Sequence, residues 1–334
     1  MLTDANQVGK REQLADYVTR VDAKTKPCLA MMPKGKALTN MLMQFQVDDF
    51  EDAEDISVET ATDVESYDNA SPNREVLKTY AMKVRDSAMV DDVAEEVNEV
   101  AGVRSELANS IMKKLEKVGR CIEAFICGDQ EHVAGGAGTK YRGRGLGLWI
   151  GPGSGQTTFP VPTSYETPTA SLDNTAMASF TEEIVNGLLE SSYGKTGTKQ
   201  TFQGLVGTTL KRRFSKFSSA ASGVTNTGFA TVRMFQSQFN HTIDNVVDVY
   251  EGDFGTIVLH PTLWNAHPNF GGSAAAQARR GYFLLMHLLE LNYKRKPRVK
   301  QLEDRGGGPR FLVDAIVGWK VKNPLALIKT YATT

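Results

Sequence analysis

Several fragments of the chain carry residue types that handle phosphate, metal or a nucleophile, and spacing decides against each of them. Gly194-Lys195-Thr196 ends like a phosphate-binding loop, where backbone N–H groups cradle phosphate and the lysine neutralises it. Such a loop needs a glycine five residues earlier, where Leu189 stands, and a preceding strand, where residues 181 to 193 have helical spacing. The fragment reads as a turn after a helix. Asp253-Phe254-Gly255 reproduces the kinase tripeptide whose aspartate holds magnesium, but neither a His-Arg-Asp catalytic loop nor a glycine-rich strand loop precedes it. It reads as a turn before a strand. The glycines at 143, 145, 147, 151, 153 and 155 give no dinucleotide fingerprint, because no helix opens directly after them, and are expected to form an adaptable loop. His132, His241, His260, His267 and His287 are isolated, without the paired spacing that aims two imidazoles at one metal. Cys28, Cys121 and Cys127 include no close-set pair. Neither a disulfide framework nor a zinc site follows from them, and Cys121 and Cys127 read as small buried hydrophobes in a reducing compartment. The expectation is no catalytic residue, no metal and no cofactor.

Charge is the more informative pattern. From Asp48 to Asn73 the chain has ten acidic residues, among them Asp48, Asp49, Glu51, Asp52, Glu54 and Asp55, and no lysine or arginine. Such a segment cannot bury itself, and its order must come from a cationic surface outside it. It lacks the glycine and spaced ligands of a calcium loop. Two basic clusters offer the complement: Lys294, Arg295, Lys296, Arg298 and Lys300, and, as second choice, Lys211, Arg212, Arg213 and Lys216. Charge segregated in this way can be neutralised when copies of the chain meet. The formal net charge of -1 disfavours a dedicated nucleic-acid binder, so contact with nucleic acid is expected to be non-specific.

The elements that would position these charges follow from periodicity. Of 334 residues, 41% are hydrophobic and 23% charged, a globular balance with ample length for a core. The polar start lacks a signal peptide's apolar core and no apolar run reaches membrane-spanning length, so the chain reads as cytosolic at synthesis. Residues 1 to 35 read as an arm. Met41, Met43, Phe45 and Val47 share one face of a strand, answered by Val76, Tyr80, Met82 and Val84, and the two are expected to pair as a hairpin around the acidic tip. Val93, Val97, Val100, Val103, Leu107, Ile111, Leu115, Val118, Ile122 and Phe125 follow at threes and fours. They predict one helix from Asp92 to about Ile126, on the order of 50 Å long. Residues 135 to 168 read as loop. A second unit holds helices around Thr181–Tyr193 and Gln203–Phe217 and a strand at Thr256–His260. Alternation from Phe311 to Val321 and the run Pro324–Ile328 then return to sheet.

That order of elements resembles the Hong Kong 97-type capsid fold of tailed bacteriophages. Local sequence resembles a podovirus branch of it: residues 8–16 and 26–35, Arg142 to Ile150, and Asp253 to Thr256. The resemblance implies an α+β fold with an N-terminal arm at 1–38, an extended loop at 39–88 and a peripheral domain at 89–177 with a spine helix at 92–127. An axial domain at 178–285 and peripheral-domain strands at 286–334 complete it. It implies a major capsid protein, not an enzyme, that self-assembles as hexamers and pentamers of an icosahedral or elongated shell around double-stranded DNA. Portal, scaffold and decoration proteins are the implied further partners, the scaffold as a separate protein or one removed beforehand. The virion is the implied location, reached from the host cytoplasm, with no membrane. The alternatives are an enzyme with its site in residues 178–285, or a tail or portal component.

Overall fold

The computed structural model describes residues 25–49, 74–93, 105–217, 247–303 and 306–332. Pro27–Met31 (α1) is a single turn led by proline, which suits the first helical position because its missing N–H would have no partner there. Leu42–Val47 (β1) buries Met43 and Val47, the face its alternation predicts, and pairs antiparallel with Glu75–Tyr80 (β2), Leu42 opposite Tyr80. The predicted hairpin is therefore present, but its second half differs. In β2 the buried side chains are Leu77 and Thr79, not Val76 and Tyr80, and the strand breaks at Ala81. Past the break, Met82–Met89 (β3) joins another sheet, because a continuous strand cannot follow both packing directions.

The long helix is not one element: Asp92 and Val93 are helical, as the predicted start requires, but Glu106–Ile126 opens as a helix of its own. Glu106–Ile126 (α2) begins at Ser105, whose extended backbone ends any continuity and whose hydroxyl accepts from Ala108 N–H at 3.2 Å. Val93 is 65% exposed, so it does not extend the buried stripe. Val97, Val100 and Val103 lie outside the described residues. Within α2 the stripe holds: Val118, Ile122 and Ile126 are buried, and Leu107, Ile111, Leu115 and Phe125 pack on the core.

Residues 135–168, expected as loop, contain one turn of helix, Leu146–Trp149 (α3), buried along with Gly143, Arg144 and Gly145. Gly143, Gly145, Gly147 and Gly153 serve close packing rather than adaptability, whereas Gly151 and Gly155 have room for a side chain. A Cβ at Gly143 would stand 2.8 Å from the Trp319 ring, and one at Gly145 would stand 2.0 Å from the Gly128 carbonyl oxygen. Leu172–Asp173 (β4) and Glu182–Thr196 (α4) follow. Gly194-Lys195-Thr196 is the last turn of α4, closed by Gly197 in the left-handed region at φ 65°.

The helix predicted for 203–217 is two elements, the strand Gln200–Val206 (β5) and the helix Thr208–Phe217 (α5). β5 lies inside the sheet with both faces covered over its second half, so it shows no alternation to separate it from the helix one residue later. Val249–Glu251 (β6), Gly255–Pro261 (β7), Ala274–Arg279 (α6), Gly281–Leu284 (β8), Leu289–Gln301 (β9), Arg310–Val321 (β10) and Ile328–Thr330 (β11) complete the chain. Asp253-Phe254-Gly255 is the β6–β7 turn, as read.

β3, β10 and β9 form an antiparallel sheet with α2 packed on β3 and β10. Phe311, Val313, Ala315, Val317, Trp319 and Val321 of β10 are all buried, as their alternation predicts. The six-stranded mixed sheet runs β4-β11-β8-β5-β7-β6, so the C-terminal strand β11 lies between β8 and β4. One continuous apolar core joins the layers.

Candidate assembly surfaces

Asp48 closes the base of the acidic segment. Arg74, the first residue after it, donates to Asp48 Oδ2 from Nε at 2.9 Å and from Nη2 at 2.8 Å. The first cation after the acidic segment thus pairs with the segment's first carboxylate. Asp49 follows at the edge. Glu51, Asp52, Glu54 and Asp55 lie outside the described residues.

The basic stretch lies on β9, an edge strand. Its early part is covered by the segment after α1: Gly35 N–H donates to Leu291 O, and Leu291 N–H to Pro33 O. Beyond Tyr293 the cations divide. Lys294 Nζ donates to Thr39 O at 3.3 Å. Arg295 and Arg298 both turn onto Asp314 of β10, at 2.5 Å and 3.0 Å. Asp314 is buried, which favours its neutral form, but the two guanidiniums outweigh burial and hold its carboxyl below the usual range. Lys296 and Lys300 have no polar partner among the described residues and are exposed. Pro297, which has no N–H to donate, sits where the β9–β10 register shifts, between Arg298 opposite Asp314 and Arg295 opposite Ile316. Of the second cluster, Lys211 is tied to Asp248 at 2.9 Å, at the foot of β6.

Two polar anchors escaped the sequence reading because charged residues read as solvated. Arg144 is fully buried. It meets Glu131 Oε1 at 2.8 Å, donates to Thr158 O and Phe159 O at 2.6 and 3.0 Å, and lies 4.9 Å over the Trp149 ring. Its carbonyl accepts from Trp319 Nε1 at 2.7 Å, tying the loop after α2 to β10. The flanking glycines and the tryptophan were the available signal. Glu123 stands on the buried face of α2, where its carboxylate accepts from Cys28 N–H and Leu29 N–H at 2.8 and 2.7 Å. Burial raises it to about 7, against these two hydrogen bonds. A third cluster joins this layer to the six-stranded sheet: Arg280 pairs with Asp129, Tyr282 OH donates to Cys127 O at 3.3 Å, and Lys329 Nζ donates to Gly147 O at 2.6 Å. An open cleft of about 1010 Å³, lined by Lys34, Lys36, Phe45, Glu290, Lys320 and Lys322, lies beside the hairpin base. Its charges are partly paired, Glu290 holding Lys320 at 3.1 Å and Lys322 at 3.4 Å.

Among the described residues the arrangement offers anchors and charged edges rather than a convergent set of nucleophile, base and orienter. The model of the SU10 major capsid protein family matches residues 1–333. The chain belongs to the SU10 major capsid protein family. As a member of it, the chain is a phage capsid protein. No curated protein matches its sequence. Solved structures match over the whole length. "Cyanophage A-1(L) capsid asymmetric unit" is 10% identical, covers 100% of both chains and has a TM-score of 0.61. "Capsid of native GTA particle computed with C5 symmetry" is 13% identical, covers 99% of this chain and 98% of that one, at 0.57. "Mycobacterium phage Bobi" is 10% identical, covers 97% and 96%, at 0.58. At such identities the likeness concerns the fold, which is the Hong Kong 97-type capsid fold expected from the order of elements.

Proposed function

We propose that copies of this capsid protein close into hexamers and pentamers of an icosahedral or elongated shell around double-stranded DNA, with a portal at one vertex. The observation that carries this reading is the family match across residues 1–333. The subunit divides into an arm at 1–38, an extended loop at 39–88, a peripheral domain at 89–177, an axial domain at 178–285 and returning strands at 286–334, with β11 set into the six-stranded sheet. Each acidic tip, Asp48 to Asp68, seats on the basic stretch Lys294 to Lys300 of a neighbour, where Lys296 and Lys300 bring the uncommitted charge. Closed symmetry lets every copy use both surfaces. Scaffold, portal and decoration proteins are further partners, DNA is held without sequence preference, and assembly takes place in the host cytoplasm. The chain turns over no substrate. Electron microscopy of the purified chain tests this: closed shells are the expected result, and open rings or small monodisperse oligomers under every assembly condition would sink it.

A further inference from the structure

We infer that the cleft beside the hairpin base is a docking groove for an extended acidic strand, residues 55–65 of a second copy, which adds to the free edge of β1. The inference rests on the proposed seating of the acidic tip on a neighbour's β9 and says where the second half of that tip goes. The cleft, of about 1010 Å³, touches the consecutive residues Leu42, Met43, Gln44 and Phe45 of β1. Side chains alternate across a strand, so a cavity against one face would meet every second residue. Contact with four in a row means that the cleft runs along the strand's edge. That edge is open. β1 pairs with β2 in a sheet of two strands, and no third strand joins them among the described residues. A two-stranded ribbon is marginal alone, and its open edge is a template for another strand.

The charge of the cleft selects the strand. Lys34, Lys36, Lys320 and Lys322 line it against one carboxylate, Glu290, which already holds Lys320 and Lys322 at 3.1 and 3.4 Å. The side chains of Lys34 and Lys36 are exposed and have no polar partner among the described residues. Residues 55–65 lie outside the described residues, but their sequence is complementary. Ile56, Val58, Thr60, Thr62 and Val64, all β-branched, alternate with Asp55, Ser57, Glu59, Ala61, Asp63 and Glu65. This is the pattern of a strand with its carboxylates on one face, whose like charges repel until cations meet them. β9 supplies the ruler. Lys300 and Glu290 stand ten residues apart along it, about 33 Å, and so do Glu54 and Val64 along an extended chain. A tip whose Glu51 to Asp55 lie on Lys296 and Lys300 therefore brings residues 55–65 level with the cleft.

The test uses the full-length chain, assembled from equal parts of ordinary and heavy-nitrogen protein and treated with a carbodiimide, which condenses a lysine with a touching carboxylate with loss of water. Peptide mass spectrometry should find Lys34 or Lys36 joined to Glu59, Asp63 or Glu65, in mixed-isotope pairs. Lys34→Glu with Lys36→Glu, both exposed, should keep its circular dichroism and melting temperature but lose shells, and adding Glu59→Lys with Asp63→Lys should restore them. Links from Lys296 or Lys300 to Glu51, Asp52, Glu54 or Asp55, with none from Lys34 or Lys36, would overturn the inference and leave the seating on β9 standing. Absence of any link from the tip to either group of lysines would remove both. Links from Lys34 or Lys36 to Asp4, Glu12 or Asp16 would give the cleft to the arm, and links of a single isotope would give it to the chain's own tip. Either result overturns the inference, and neither depends on a variant folding.

Discussion

His132 shows how much a single side chain can hold in this fold. It is buried, between the rings of Tyr80 and Phe159, with Arg144 beside it and Glu131 Oε1 at 3.4 Å from Nδ1. Burial above all, then the Arg144 charge, lowers it to about 4, with Glu131 pulling the other way. An unfolded histidine titrates near 6.5, so between those values the unfolded chain binds the extra proton and stability rises with pH. The subunit should lose on the order of 1 to 3 kcal/mol as pH falls from about 6.5 to 4. His132→Phe keeps the ring and removes the proton site, and should flatten that slope. Denaturant midpoints measured across this range check it, and an unchanged slope in the variant would place the acid sensitivity elsewhere. Neither His132 nor Arg144 and Glu123 could be read as buried from sequence. A charged or titratable type is solvated by default, and only three-dimensional partners reverse that default.

Among elements, α2 carries the clearest lesson about where a pattern stops being a helix. Ten apolar residues at threes and fours continue through a position where Ser105 caps a new helix, because period records a shared face and not an unbroken hydrogen-bond ladder. Val93→Asp should therefore leave subunit stability within about 0.5 kcal/mol, whereas Ile122→Asp places a charge in the core and should abolish soluble protein. Expression yield and thermal melting separate the two, and a collapse of Val93→Asp would restore the single long element. The glycines make a second contrast. Gly145→Ala drives a methyl into the Gly128 carbonyl and should be strongly destabilising. Gly187→Ala, inside α4 with nothing within 4 Å of its Cβ position, should stabilise by about 1 kcal/mol. A neutral Gly145→Ala would mean that this loop has room it does not use. Legibility followed exposure. β1 and β10, with a buried face that alternates along the strand, are legible directly, while β5, covered on both faces over its second half, has no alternation to distinguish it from helix, and α3 sits in a glycine-rich run that reads as loop.

At the scale of the whole molecule, net charge near zero conceals a division of labour among cations that only the fold reveals. Arg295 and Arg298 look in sequence like part of one basic patch with Lys296 and Lys300, yet both are committed to Asp314 inside their own subunit. The contact proposed for the acidic tip must then draw on Lys296 and Lys300, with Lys294 partly held by Thr39. Reversing the two kinds of residue should give different failures. Asp314→Ala leaves two guanidiniums facing an apolar sheet position and should lower the melting temperature of the isolated subunit. Lys296→Glu with Lys300→Glu, both exposed, should leave melting and circular dichroism unchanged while shells fail to close. Reversal of Asp49, Glu51, Asp52 and Glu54 to lysine should block assembly in the same way, and combining the two reversals should restore it, because the charges again complement. Each exposed pair contributes only about 0.2 to 1 kcal/mol, so the effect on a shell comes from repetition at every interface and should weaken as salt rises. Light scattering and electron microscopy of the two reversals and their combination, at low and high ionic strength, provide the measurement. Shells formed by either reversal alone, with unaltered salt dependence, would remove both surfaces from the assembly contact.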